Sequence, residues 1–207
     1  MKEFTKEDIE TLKQIMLLRR DVRGNRFNNK KIDDEILDEI LNAANMAPSV
    51  GFSQPWKFLL VKSKSKREEI YEEFIKENEK AKKIFKDKEL YASLKLEGIK
   101  ESYINIAVLY EKPKKSILGQ TTQKKMGEYS VVCAIENLWL MARAFNIGVG
   151  WISILKPKNV KKILGIGSEH KLIAYLALGY VDEFLEEPEL LKIKWEDKKS
   201  LKDIKII

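Results

Sequence analysis

The chain has 207 residues, of which 44% are hydrophobic and 34% charged, which suits one domain with a sizeable core and a well-solvated surface. No apolar run approaches the roughly 18 residues that cross a bilayer, and the opening MKEFTKEDIETLKQ carries acids without the apolar stretch of a secretory signal. A net charge of +7 raises the question of nucleic acid, but the lysines are interleaved with glutamates at helical spacing, the pattern of a solvated helix face.

The T-x-x-D start at Thr5–Asp8 predicts a first helix, with Ile9, Leu12, Ile15 and Met16 on one face. A second begins near Asp33, buries Ile36, Leu37, Ile40, Leu41 and Ala44, and ends by Ala47, because Pro48 disfavours helical geometry before it. SVGFSQPW is then a loop and KFLLV (57–61) a strand. A charged helix over 64–85 and another over 87–101 follow, then a strand at 103–111 and a lysine-rich loop leading to 128. Residues 129–146 form the most apolar helix, placed in the core or at a subunit interface, and Gly148 stops it. VGWISIL (149–155) reads as a strand, Pro157 opens a short helix through Leu164, and 171–181 is a long buried strand. The tail after Pro188 is too polar to bury much alone and is expected to wrap a neighbour. No repeat or linker divides the chain, so 1–207 is expected to be one α+β domain. Cys133 is the only cysteine, which permits no intrachain disulfide and suits a reducing cytoplasm.

Few stretches carry chemistry. His170 is the only histidine and sits in a turn, so neither a histidine triad nor a zinc cluster is legible, and no metal is expected. GVGWIS has glycines between a helix and a strand, the reverse of the dinucleotide fingerprint. RRDVRGNRF (19–27) sets Asp21 among Arg19, Arg20, Arg23 and Arg26. Such guanidinium forks bind phosphate, pair with acids or cap the preceding helix, and the stretch alone leaves these open. APSVGFSQPW (47–56) puts small residues and the Gln54 amide in a loop that would let backbone N–H groups approach a planar heterocycle, or is simply a tight turn. In GVGWISI, Gly150 lets another group lie against the backbone and Ser153 offers a hydroxyl.

Taken in order along the chain, RRDVR (19–23), APSVGFSQPW (47–56), SLKLEGI (93–99), YSVVCAIENLWLMARA (129–144), GVGWISIL (148–155) and LALGYVDEFLEEPEL (176–190) resemble the nitroreductase-like FMN flavoprotein superfamily. Within it the likeness is greatest to the flavin-destructase family, the 5,6-dimethylbenzimidazole synthases. Asp21 stands where the wider superfamily usually has Ser. The loop before YS carries lysines where family members have an arginine or histidine and a proline.

The resemblance implies an α+β fold, a central mixed β-sheet flanked by helices, in an intertwined homodimer whose tail (about 188–207) wraps the partner. It implies FMN at the dimer interface, with Arg19, Arg20 and Arg23 on the phosphate. Asp21, Val22, Pro48, Ser49, Gly51, Gln54, Ser93, Leu94 and Gly150 would surround the cofactor, and Asp21 and Ser153 would be catalytic. The implied reaction is O2-dependent fragmentation of reduced FMN into 5,6-dimethylbenzimidazole, the lower ligand of cobalamin, and erythrose 4-phosphate. On this view the flanking guanidiniums keep Asp21 ionised, a separate flavin reductase supplies reduced FMN, and the enzyme is cytoplasmic, with no nucleic-acid or membrane partner. The alternative is an FMN-dependent NAD(P)H oxidoreductase or nitroreductase that keeps its flavin intact.

Overall fold

The computed structural model describes residues 2–85 and 89–204. The first helix, α1 (Lys6–Leu18), is opened by a capping box in which the Thr5 hydroxyl accepts from Asp8 N and the Asp8 carboxylate accepts from Thr5 N. It is followed by α2 (Asp34–Asn45), β1 (Trp56–Val61), α3 (Lys64–Ile84), α4 (Glu89–Ser93), β2 (Ile104–Glu111) and α5 (Met126–Ala144). The chain then runs through β3 (Ile147–Trp151), α6 (Pro157–Leu164), β4 (His170–Tyr180), α7 (Glu189–Lys192) and α8 (Leu201–Ile204). No helix among the described residues is long and apolar enough to cross a membrane.

The sheet order is β1-β2-β4-β3. Because side chains alternate across a strand, Ile104, Ile106, Val108 and Tyr110 of β2 join one core with α2 and α5, while Ala107 and Leu109 join another with Ile70 and Phe74 of α3 and Val160 of α6. Helices therefore cover both faces, and β2 and β4 are buried almost throughout. The α+β class agrees with the expectation, but every strand pair is antiparallel. The parallel element that a mixed sheet requires shrinks to a single bridge, Asp21 against Val149.

Three boundaries differ from the sequence reading by three residues or more. The helix expected over 87–101 is only α4, and residues 94–101 form a non-helical strap ending in a turn at 99–101, because partners elsewhere in the chain claim its carbonyls. Residues 86–88 of that expected helix lie outside the described residues. The strand expected at 149–155 is β3, over Ile147–Trp151, and Ile152 N adds one further ladder bond to Tyr175 O at 2.9 Å, in register with Trp151 against Leu176. The apolar helix starts three residues early, at Met126. The start of the tail packs on its own chain, with Trp195 edge-on to Phe85 at 5.8 Å and 6.3 Å from Tyr91.

Candidate active site

The arginine run leaves α1 and lies along the sheet edge. Val22 N donates to Val149 O at 2.9 Å, and Asn28 N donates to Tyr180 O at 3.1 Å, so residues 21–28 cross the ends of β3 and β4. Gly150 explains how the segment fits: a Cβ there would strike the Val22 carbonyl oxygen. The group admitted by that glycine is thus the chain's own Asp21–Val22 backbone. Gly150→Ala is expected to open the Asp21–Val149 bridge at a cost of about 1–3 kcal/mol, as for other overpacked sites, which thermal unfolding reads as a lower midpoint.

The four guanidiniums have different occupations. Arg20 is buried, and its donors go to the carbonyls of Leu17 (2.6 Å), Arg19 (2.7 Å), Leu185 (2.9 Å) and Glu186. It caps the end of α1 and ties the start of the tail, one of the roles left open by the sequence. Arg26 pairs with Glu183 at 2.9 Å. Arg23 pairs with Asp21 and reaches Leu96 O at 3.5 Å. Arg19 lies over the Trp139 ring at 5.1 Å, and its Nε is buried without a partner. A buried donor left unmatched is costly, so Arg19 is a standing invitation to an anion.

Asp21 is half-buried, with Oδ1 accepting from Trp151 N at 3.0 Å and Oδ2 on Arg23. Burial pushes its pKa above the ordinary carboxylate value, only partly countered by Arg23, the Trp151 N–H and Arg19, while Glu189 of the tail pushes the same way as burial. The arginines favour the ionised form, as expected, but desolvation outweighs them in the direction of the net shift. Arg19, Asp21 and Arg23 line a cavity of about 690 Å³ whose opposite wall is the tail from Leu185 to Lys198. Glu186, Glu187, Glu196 and Asp197 on that wall are exposed and therefore screened by water.

The other expected site residues fall into two groups. Ser93 and Leu94 end α4 and lead into the strap whose Leu96 carbonyl holds Arg23. Pro48, Ser49, Gly51 and Gln54 lie elsewhere, in a loop anchored by Val50 N on Ser130 Oγ (3.1 Å) near the start of α5. That loop is closed by Gln54 N on Ser49 Oγ at 3.0 Å. Its Phe52 and Gln54 have φ of 50° and 43°, left-handed conformations unusual for side-chain-bearing residues. The arginine segment meets the far end of α5, where Trp139 Nε1 donates to Arg20 O and Arg143 Nε to Leu18 O. Ser130 and Trp139 are nine residues apart, about 14 Å along a helix axis. Ser153 is exposed on the loop after β3, and no hydrogen bond joins it to Asp21.

The sequence reading missed Arg67 and Glu97. Arg67 of α3 is buried and donates to the carbonyls of Ile99, Lys100, Ser102 and Tyr103, fixing the far end of the strap. Its place three and seven residues before Ile70 and Phe74 on one helical stripe was the available signal.

The nitroreductase family model matches residues 17–180, from the end of α1 to the end of β4. This chain belongs to the nitroreductase family. Among curated nitroreductase relatives, it is 39% identical to 5,6-dimethylbenzimidazole synthase of Rhodospirillum rubrum over 185 residues, covering 87% of each chain. It is 32% identical to a 5,6-dimethylbenzimidazole synthase of Rhodobacter capsulatus over 199 residues, 94% of this chain and 95% of that one. The nitroreductase fold is shared with a solved BluB-like flavoprotein from Clostridium difficile 630, at a TM-score of 0.70 and 20% identity, over 95% of this chain and 98% of that one.

Proposed function

We propose that the chain is a 5,6-dimethylbenzimidazole synthase that consumes reduced FMN with O2 in the cytoplasm. The observation that carries this reading is a half-buried carboxylate, Asp21, on the wall of a cavity it shares with Arg19 and Arg23. FMN suits that cavity: the unpartnered Arg19 Nε and the Arg23 fork offer donors to a phosphate, while Arg20 has its own donors committed. When bound in reduced form with O2, the flavin supplies the dimethylated ring and the ribityl carbon that become the benzimidazole, and erythrose 4-phosphate leaves.

The residues of the chain then have distinct tasks. Arg19 and Arg23 hold the phosphate, and Arg20 holds the tail near it. The Asp21 carboxylate takes a proton from the ribityl carbon, a role helped by a pKa raised toward working pH. Trp151 N–H fixes the other Asp21 oxygen. Ser93, Leu94 and the strap form the lid that keeps water out. Ser153 is assigned the second catalytic role by likeness, that of orienting an oxygen.

The two groups of expected cofactor residues, parted along α5, support a homodimer in which the arginines of one protomer and the 48–54 loop of its partner meet one FMN. A surface for that partner exists. Tyr129, Val132 and Cys133 form an exposed stripe on α5, with Met46 and Phe52 also exposed at the end of α2 and in the loop that α5 anchors. Leu201 of α8 is exposed as well and is proposed to meet the partner. Val132→Glu is expected to halve the mass seen by analytical ultracentrifugation and to abolish flavin binding with it. A wild-type protein already monomeric at micromolar concentration would count against the dimer.

The direct test mixes pure protein with chemically reduced FMN under air. Irreversible loss of flavin absorbance with 5,6-dimethylbenzimidazole in the mass spectrum is the expected result. Full return of the yellow colour would replace this reading with that of an oxidoreductase which retains its flavin, a role that the exposed position of Ser153 would suit. A nicotinamide site is not legible, so a separate flavin reductase is proposed as the source of reduced FMN.

A further inference from the structure

Behind the Asp21–Arg23 pair lies a cluster of charge with no part in the chemistry above. Glu97 is 2% exposed, yet its Oε1 pairs with Lys95 Nζ at 2.6 Å and its Oε2 accepts from Ile99 N at 2.8 Å. The carboxylate therefore clasps both sides of its own bend in the strap. Two carbonyls of that bend face the arginine segment: Glu97 O accepts from Gly24 N at 2.6 Å, and Leu96 O receives Arg23 Nη1. Lys95 also pairs with Glu101 at 2.9 Å, and the two side chains press on Gly24 so closely that a Cβ there would lie 2.7 Å from Glu101 Oε2 and 2.9 Å from Lys95 Cε. Gly98, on the same bend, has no room for a Cβ against the Phe27 ring.

A buried carboxylate costs several kcal/mol of lost hydration unless it is fully partnered. A polar or apolar residue could fill the space more cheaply, so the charge at Glu97 calls for a task that shape alone does not perform. We propose that Glu97 is a positioning residue: its clasp fixes the bend whose carbonyls hold Gly24 and Arg23, and through Arg23 it sets the place of the Asp21 carboxylate. This rests on the reading of Asp21 as the acting group.

The test is a 13C NMR titration of the Asp21 carboxyl in the full-length protein without flavin, beside the flavin-consumption assay. The charged groups facing Asp21 are Arg23 and Arg19 on its own segment and Glu189 on the tail. In Glu97→Gln the bend relaxes and Arg23 withdraws, so the Asp21 pKa rises by at least about half a unit. Binding of oxidised FMN weakens as well, because Arg23 also holds the phosphate, and kcat at saturating reduced FMN falls by about tenfold or more, as expected for a small misplacement. Loss of the Glu97 charge without movement would instead shift Asp21 downward or leave it unchanged, and either outcome overturns the proposal. If Glu97→Gln does not fold, Gly24→Ala, which pushes the strap away with Glu97 intact, must give the same upward shift or the proposal falls. Should the wild type return its flavin intact while Glu97→Gln still raises the Asp21 pKa, the synthase reading fails and the positioning role stands.

Discussion

Asp21→Asn is expected to slow FMN consumption by about a hundredfold or more, the usual worth of a positioned base, with FMN binding retained. Asn keeps the acceptor for Trp151 N–H and the volume of the side chain, so the bridge to Val149 survives, and what is lost is the base together with its ion pair to Arg23. The pH dependence provides a second check. Burial holds the folded pKa of Asp21 above its unfolded value, so between the two values the folded chain binds more protons than the unfolded one. Stability contributed by this group therefore falls as pH rises through the shifted value, and the penalty is absent below the unfolded value. Relative to Asp21→Asn, the wild type should gain in melting temperature as the solution is acidified. Its rate should fall on an acid limb placed above the ordinary carboxylate range of about 3.9. A variant that consumes flavin at the wild-type rate would remove Asp21 from the chemistry.

The second large effect is one of stability. Arg67→Met is expected to cost about 3–5 kcal/mol, because it strands buried carbonyls that a charged donor now satisfies. For a domain of this size the melting midpoint falls by roughly 10 °C. Arg67→Lys should recover only part, since one ammonium cannot reproduce a fork shared among the carbonyls of Ile99, Lys100, Ser102 and Tyr103. The same loss frees the strap, so flavin consumption should drop at temperatures where the variant is still folded. Equal midpoints for Arg67→Met and wild type would show that water replaces the guanidinium and that the strap is held elsewhere.

What could be read from the sequence was what neighbours in the chain decide. The capping box at Thr5, the apolar stripe of α2 and Pro157 at the start of α6 are local signals, and the elements lie where those signals put them. The strap was read as helix because LYASLKLEGIKE has helical periodicity. Its true shape is set by Arg67 and Gly24, 32 and 73 residues from Ile99 and Glu97 respectively. Arg67 itself was lost among the lysines and glutamates of α3, although it alone of the cations there turns inward with Ile70 and Phe74. The arginine run was legible as a candidate anion site, but not the division of labour within it. That Arg20 is a cap and a tie depends on Leu185 and Glu186, which meet it only after β4 has crossed the sheet. The upward direction of the Asp21 shift was hidden for the same reason: charge is written in the sequence, whereas dehydration is a property of the assembled fold.

One helix carries both anchors, Ser130 for the loop and Trp139 with Arg143 for the arginine segment. It therefore acts as a ruler. Inserting a single residue between them would lengthen it by about 1.5 Å and swing one anchor by about 100° about the axis relative to the other. Surface loops in general tolerate changes of length, whereas the middle of α5 has a length set by what is anchored at its two ends.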